Sequence, residues 1–208
     1  LPRYCFEGDN FSLWSYIDIH GNWTSPWIRS TAGLTDVAHK NGVTVGTLMS
    51  IPFGNSVYLT SWRSDVYSRV LFRLTQKRGD KYLYAEPLVR MMKYYGINGI
   101  GFNSEFRTSS SVMTQLSEFF VACHKEAEKL NWKFEVHWYD GTSDDGQIHF
   151  DGGLGYHNQK IFGDKDNIAT DMLFANYNWG PSHLSASVNT AKRLGRSSFD
   201  YYAGFDIQ

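Results

Sequence analysis

The sequence predicts an α/β fold, a (β/α)8 barrel of which it supplies about six of the eight units. Three observations lead there. Short apolar runs alternate with stretches of helical spacing along the 208 residues. The strand-like runs carry few charges until their C-terminal ends, as strands covered on both faces do. The longer loops follow those ends, where barrels build their sites. A doubly wound open sheet is the alternative, but no glycine-rich phosphate loop opens any helix. The chain therefore reads as one catalytic barrel domain over 1–208, incomplete at both ends.

The elements follow in order. "FSLWSYIDIH" (11–20) reads as a strand and "TAGLTDVAHKNG" (31–42) as a helix stopped at Gly42. "VTVGTLMSI" (43–51) is a strand, "YLYAEPLVRMMKYYG" (82–96) a helix ending at Gly96, and "INGIGFNSE" (97–105) a strand. In 111–131 the residues Val112, Leu116, Phe119, Phe120, Cys123, Ala127 and Leu130 recur at helical spacing. "KFEVHWYD" (133–140) and "DMLFANYNW" (171–179) are strands, "SHLSASVNTAKRLG" (182–195) a helix, and "YYAGFDIQ" (201–208) a last strand. The loops 52–65, 106–110, 140–165 and 179–182 remain to hold the chemistry.

Composition narrows the function classes. A chain 42% hydrophobic and 20% charged forms a globular core. Aromatics reach 16%, with 7 Trp and 13 Tyr, which suits a large core or a stacking cleft. A net charge of −1 gives no basic excess for phosphates, so a nucleic-acid surface is not expected. No apolar run reaches membrane-spanning length. Cys5 and Cys123 form no disulfide framework, and the scattered histidines form no H-x-x-x-H pair, so no metal or cofactor is expected.

The chemistry is read at the strand ends. Asn103 and Glu105 lie two apart, so on a strand they point the same way, into the barrel mouth. Gly99 and Gly101 precede them, read as lying on the other registers and leaving room for close approach. "HWYD" (137–140) ends the next strand, "NYNW" (176–179) the one after, and "GFDI" (204–207) brings Asp206 near the end of the last. Such aromatic and polar ends make a cleft that stacks on sugar rings and binds hydroxyls. Two carboxylates would suit ordinary glycoside hydrolysis. Here the partner of Glu105 is a neutral amide, which suits a substrate-assisted route: the 2-acetamido oxygen attacks, and proximity makes that attack effectively unimolecular. Blander readings stand beside these. Trp138 and Tyr16 suit the core, although Trp138 is also counted among the substrate-binding candidates. His39 suits a helix–strand contact, and His137 a buried hydrogen bond. Asp18 suits an interior network or a sugar contact. Asp144, Asp145, Asp164 and Asp166 read as solvated loop charges.

The motifs also carry a resemblance. "NGIGFNSE" (98–105) lines up with the D-G-x-D-x-D-x-E strand of family 18 chitinases, but only Glu105 keeps its acid. The N-x-E of Asn103 and Glu105 looks instead like that of glycoside hydrolase family 85, the endo-β-N-acetylglucosaminidases. "SPWIRSTAGLTDVAHKNGVTVGTLMSI" (25–51), "WYDGTSDDGQIHFDGGLGYHNQKIF" (138–162), "FANYNW" and "YYAGFDIQ" resemble further segments of that family in the same order. The resemblance implies a (β/α)8 barrel that cleaves the GlcNAc-β-1,4-GlcNAc core of N-glycans with retention, without a cofactor. It implies Glu105 as general acid/base, Asn103 holding the acetamido nitrogen, and Tyr139 hydrogen-bonding near the reacting group. Trp179 would be an aromatic wall, with Trp138, Asn176 and Asp206 as further substrate contacts. Phe150 stands where the family usually has Trp, Asn98 where it often has Asp, and Asp151 where it has an amide. N-linked glycans or glycoproteins are the expected partners, and further domains are expected outside the segment. The alternatives are a catalytically silent glycan-binding barrel, or a family 18-like hydrolase. The divergent loops suggest a bacterial secreted or cell-surface protein, with the cytoplasm as the other compartment.

Overall fold

The computed structural model describes residues 12–22, 31–57 and 66–206. The chain runs β1 (Ile19–Asn22), α1 (Ala32–Lys40), β2 (Thr44–Ile51), α2 (Val66–Leu74) and the small hairpin β3 (Lys77–Arg78) and β4 (Lys81–Tyr82). It continues with α3 (Ala85–Tyr94), β5 (Gly99–Ser104), α4 (Ser110–Lys129), β6 (Glu135–Tyr139) and α5 (Gln159–Phe162). A second hairpin follows, β7 (Gly163–Asp164) and β8 (Asn167–Ile168), then β9 (Met172–Phe174), α6 (Pro181–Arg193) and β10 (Tyr201–Tyr202). The main sheet has six parallel strands in the order β1-β2-β5-β6-β9-β10, which is their order in the chain. Each step to the next strand passes through at least one helix, as parallel pairing requires. The sheet curls. Tyr202 on β10 feels the carboxylate of Asp18, just ahead of β1, and one cleft is lined from both edges. It forms a half-barrel, so the expected parallel α/β architecture is present, without closure into eight strands among the described residues.

Alternation along each strand divides the side chains. Ile100 and Phe102 on β5, Val136 and Trp138 on β6, and Met49 and Ile51 on β2 point outward into the main core. There they meet the face of α4 made by Val112, Met113, Leu116, Phe119, Phe120, Cys123 and Ala127. That face agrees with the predicted helical period. Ser109 caps α4, its hydroxyl accepting the Val112 amide at 3.4 Å. Each large apolar side chain removed from water here contributes about 1.5–3 kcal/mol.

Polar side chains tie the sheet on both faces. Asn98, just before β5, staples the sheet. Its side-chain oxygen accepts from His39 Nε2 at 2.9 Å and from the Val45 amide at 3.2 Å, and its NH2 donates to the Lys133 carbonyl at 3.2 Å. His39 therefore makes the expected helix–strand contact. His137 lies mid-sheet, 3.3 Å from Glu135, which also pairs with Lys133 at 2.7 Å. Burial alone would raise the Glu135 carboxyl, but His137 and Lys133 bring it down to about 2. Gly99 and Gly101 share the face of Asn103, not the other registers. A Cβ on Gly99 would lie 2.5 Å from His137 Cε1, so the glycine is what makes room for the imidazole.

Several expected elements change. Residues 14–16 form a 3-10 turn rather than a strand, and β1 starts only at Ile19. The turn brings Trp14 and Ile17, three apart, onto one small cluster with Ala38, Val43 and Val45, which a period of two does not allow. It also leaves Tyr16 83% exposed, so the expected core place for Tyr16 is wrong. β9 and β10 are shorter than the apolar runs suggested, because the backbone leaves the ladder after Phe174 and after Tyr202. The residues 23–30, 58–65 and 207–208, and Cys5, lie outside the described residues.

One carboxylate anchors the rim. Asp140 ends β6 and is 1% exposed. It accepts from the Gly152 amide at 2.6 Å, the Asn158 side-chain NH2 at 3.0 Å and the Asn176 amide at 3.5 Å. The 150–158 loop and the end of β9 are thus tied to one side chain.

Two expectations follow. Gly99→Ala should lower stability by about 1–3 kcal/mol through overpacking. Pairing it with His137→Ala should recover part of that loss. Denaturant unfolding measures both, and an unchanged midpoint for Gly99→Ala refutes the close approach. The second concerns Asp140. Burial, opposed by the donors around it, pushes its carboxyl up to about 6. The folded chain therefore holds that proton more tightly than the unfolded chain, and the stability it contributes is lost as pH rises through about 6. Asp140→Asn cannot titrate. From about pH 4 to 7, wild type should lose up to about 3 kcal/mol relative to the variant. A difference that stays flat with pH refutes the assignment.

Candidate active site

The cleft lies on the concave face, toward the C-terminal ends of the strands, and encloses about 500 Å³. It is lined from Asp18 and Thr47 on one side, across Asn103, His137 and Tyr139, to Phe174, Tyr177 and Tyr202 on the other. Asn103 is the last inward residue of β5, and Glu105 follows it on the same side. The Asn103 NH2 donates to Glu105 Oε2 at 3.2 Å. Only the amide nitrogen can donate to a carboxylate, so this contact fixes which way the carboxamide faces. The Asn103 oxygen is left as an acceptor, without a hydrogen bond among the described residues.

Tyr139 ends β6 beside this pair. Burial, the Tyr177 phenol and the Glu105 carboxylate all hold its hydroxyl in the protonated form. Tyr177 is held likewise, by burial first and then by Asp206 and Glu105. Glu105 therefore faces two neutral phenols. The Tyr139 hydroxyl donates to Asn176 Oδ1 at 2.7 Å, the Asn176 NH2 to Asn178 Oδ1 at 3.1 Å, and the Asn178 NH2 to the Phe150 carbonyl at 2.9 Å. This chain fixes the phenol and leaves its oxygen lone pairs open to the cleft.

Aromatic rings lie beside Tyr139 and past the end of β9. Phe150, with φ +50°, lies 6.1 Å from Tyr139 and stacks on Phe53 at 6.3 Å and 16°. Trp179 is half-buried. Its indole N–H donates to the Gly204 carbonyl at 2.7 Å, and its ring meets Phe205 edge-on at 5.1 Å. Asp206 is exposed past β10 and acts on Tyr177 through its charge.

The structure thus places Asn103 and Tyr139 in the cleft, with Glu105 bonded to Asn103, Phe150 and Asn176 against Tyr139, and Asp206 near Tyr177; Trp179 meets Phe205 and the Gly204 carbonyl. Trp138 needs correction. It is fully buried among Phe102, Phe106 and Phe120 on the helix side, and its indole N–H donates to the Thr142 carbonyl at 3.0 Å. Adjacent strand residues face opposite ways, so beside an inward Tyr139 the Trp138 ring turns to the helices, although the residue borders the cleft. Asn176 has both amide ends engaged with protein groups and orients Tyr139. Asp144, expected as a solvated charge, accepts the Lys160 and Ile161 amides at 2.9 and 2.8 Å and fixes α5. Sequence reasoning missed Phe53, which sits in a loop with no periodic signal. It also missed that His149, Asp151 and His157 come together, since it sought metal ligands at helical spacing.

Comparisons with known proteins agree with this geometry. The Glycosyl hydrolase family 85 model matches residues 5–208. The chain is 28% identical over 204 residues to the cytosolic endo-beta-N-acetylglucosaminidase of Gallus gallus, covering 95% of this chain and 25% of that protein. The Homo sapiens protein of the same name is 26% identical over 203 residues, covering 95% and 24%. The chain spans about a quarter of the length of these relatives. Among solved structures, the glycoside hydrolase domain of Endo-D from Streptococcus pneumoniae R6 superposes with a TM-score of 0.81 at 25% identity, covering 95% of this chain and 30% of that one. A family 18 N-acetylglucosaminidase from Paenibacillus barengoltzii reaches 0.50 at 14% identity, covering 90% and 61%, and shows the fold alone. The expected secreted or cell-surface location is overturned, because these curated relatives are named as cytosolic. Its divergent loops carried no information about compartment. With the match running from residue 5 to the end of the sequence, this chain belongs to glycosyl hydrolase family 85.

Proposed function

We propose that this chain carries the catalytic centre of an endo-β-N-acetylglucosaminidase that cleaves the GlcNAc-β-1,4-GlcNAc core of N-glycans with retention. The observation that carries the reading is the contact at 3.2 Å between the cleft residue Asn103 and Glu105, which leaves an amide oxygen beside a carboxyl group. The relatives' names support the activity and point to the cytoplasm as the compartment. The half-barrel sheet, extended by two further strands, would make the (β/α)8 barrel of about eight units.

In this reading Glu105 protonates the glycosidic oxygen as that bond breaks. The substrate's own acetamido oxygen attacks the anomeric carbon from the other face and closes an oxazoline ring. The Asn103 oxygen accepts the acetamido N–H, which holds the group for attack and steadies the charge that develops there. Tyr139 offers its lone pairs nearby. Glu105, now ionised, takes a proton from water, and that water opens the ring at the anomeric carbon. Two inversions give retention. Phe150 and Trp179 supply stacking surfaces for the flanking sugars.

The test is mass spectrometry of a defined N-glycopeptide incubated with the full-length protein. Wild type should leave one N-acetylglucosamine on the peptide. Glu105→Gln, which cannot donate the proton, should slow cleavage by at least about 100-fold. Full activity in that variant rejects the assignment. Binding without cleavage by wild type supports a silent glycan-binding barrel instead. Asn103→Ala should cost about 100-fold or more in glycan cleavage. Unchanged turnover removes its acetamido-holding role.

A further inference from the structure

We propose that His149, Asp151 and His157 form a binding site for a divalent transition-metal ion of the zinc type, on the loop that carries Phe150. Each of the three offers one ligand atom, and these atoms lie within 4.8 Å of one another. The two imidazole rings are stacked, with centroids 4.3 Å apart and planes 16° from parallel. His157 Nδ1 is 2.9 and 3.2 Å from the two Asp151 oxygens. Nε2 of His149 is 2.9 Å from Asp145 Oδ2, so when it carries the proton its other nitrogen is free to ligate. A carboxylate behind a ligating histidine is the usual way such a ring is oriented.

The backbone beneath is held in place before any ion arrives. The Asp144 amide donates to the His157 carbonyl at 2.6 Å and ties the two ends of the loop together. Asp140 fixes Gly152 and Asn158, the residues that directly follow Asp151 and His157. All three side chains are partly exposed, which leaves a path for the ion and room for water as a fourth ligand. Two imidazoles and one carboxylate select zinc or a similar ion. Calcium and magnesium prefer six or more oxygen ligands, which this loop does not converge. The site is separate from the Asn103–Glu105 pair and does not depend on the proposed reaction. Its ligands bracket Phe150 in sequence, so an ion bound there would hold the aromatic wall from behind.

The experiment uses the full-length protein, stripped with a chelator and titrated with Co²⁺ while its visible d–d bands are followed. Competition with a chromophoric chelator then gives the Zn²⁺ affinity. One equivalent should bind. His149→Gln and His157→Gln should each weaken Zn²⁺ at least about tenfold, and the double variant about 100-fold. His183→Gln, outside the cluster, should bind as wild type does. Melting curves of the stripped proteins confirm that each variant folds. No saturable one-equivalent binding overturns the site. So does binding that survives the double variant, or that falls equally in His183→Gln.

Discussion

The rim of the cleft depends on one buried carboxylate. Asp140 sits where β6 ends, and its two oxygens collect the donors of Gly152, Asn158 and Asn176. That convergence gives the loop after β6 and the turn after β9 one buried reference, in addition to the Asn178–Phe150 bond nearer the surface. A buried carboxyl is costly unless its lone pairs are met, and here they are met by the groups that must be positioned. The cost of burial is thereby coupled to the order of the rim.

From that anchor the order passes outward through side chains. Asn176 is held near Asp140 by its backbone, and its amide in turn holds the Tyr139 hydroxyl and Asn178. Asn178 fixes the carbonyl of Phe150, whose ring stacks on Phe53. The other half of the site is simpler. Asn103 and Glu105 are set by the alternation of β5, and their mutual contact orients the amide without outside help. The centre thus combines a rigid strand end with a rim assembled by hydrogen bonds. Neutral phenols next to Glu105 keep competing negative charge away from it.

Much of this was legible in the residues. The parallel α/β plan, the face of α4 and the shared direction of Asn103 and Glu105 all follow from periods of two and 3.6. Tyr139, Phe150 and Trp179 came from the resemblance. Trp138 was read both as core and as a sugar contact, and the alternation that set Asn103 decides for the core: next to an inward Tyr139 its ring must face the helices. The turn at 14–16 was not legible, because a tertiary cluster around Trp14 chose it over a strand. Phe53, the histidine pair and the task of Asn176 arise from contacts between distant loops, which no local spacing records. The compartment was misread because loop divergence says nothing about address.

The fit of His137 above Gly99 has a consequence for how this fold can vary over time. No side chain larger than a hydrogen fits at position 99 while the imidazole occupies its present place. The two positions are therefore not free to drift one by one. A lineage that acquires a methyl group at 99 must move the ring at 137 aside or lose it, together with its contact to Glu135. Substitutions at the two positions on the floor of the sheet are thus coupled by sterics.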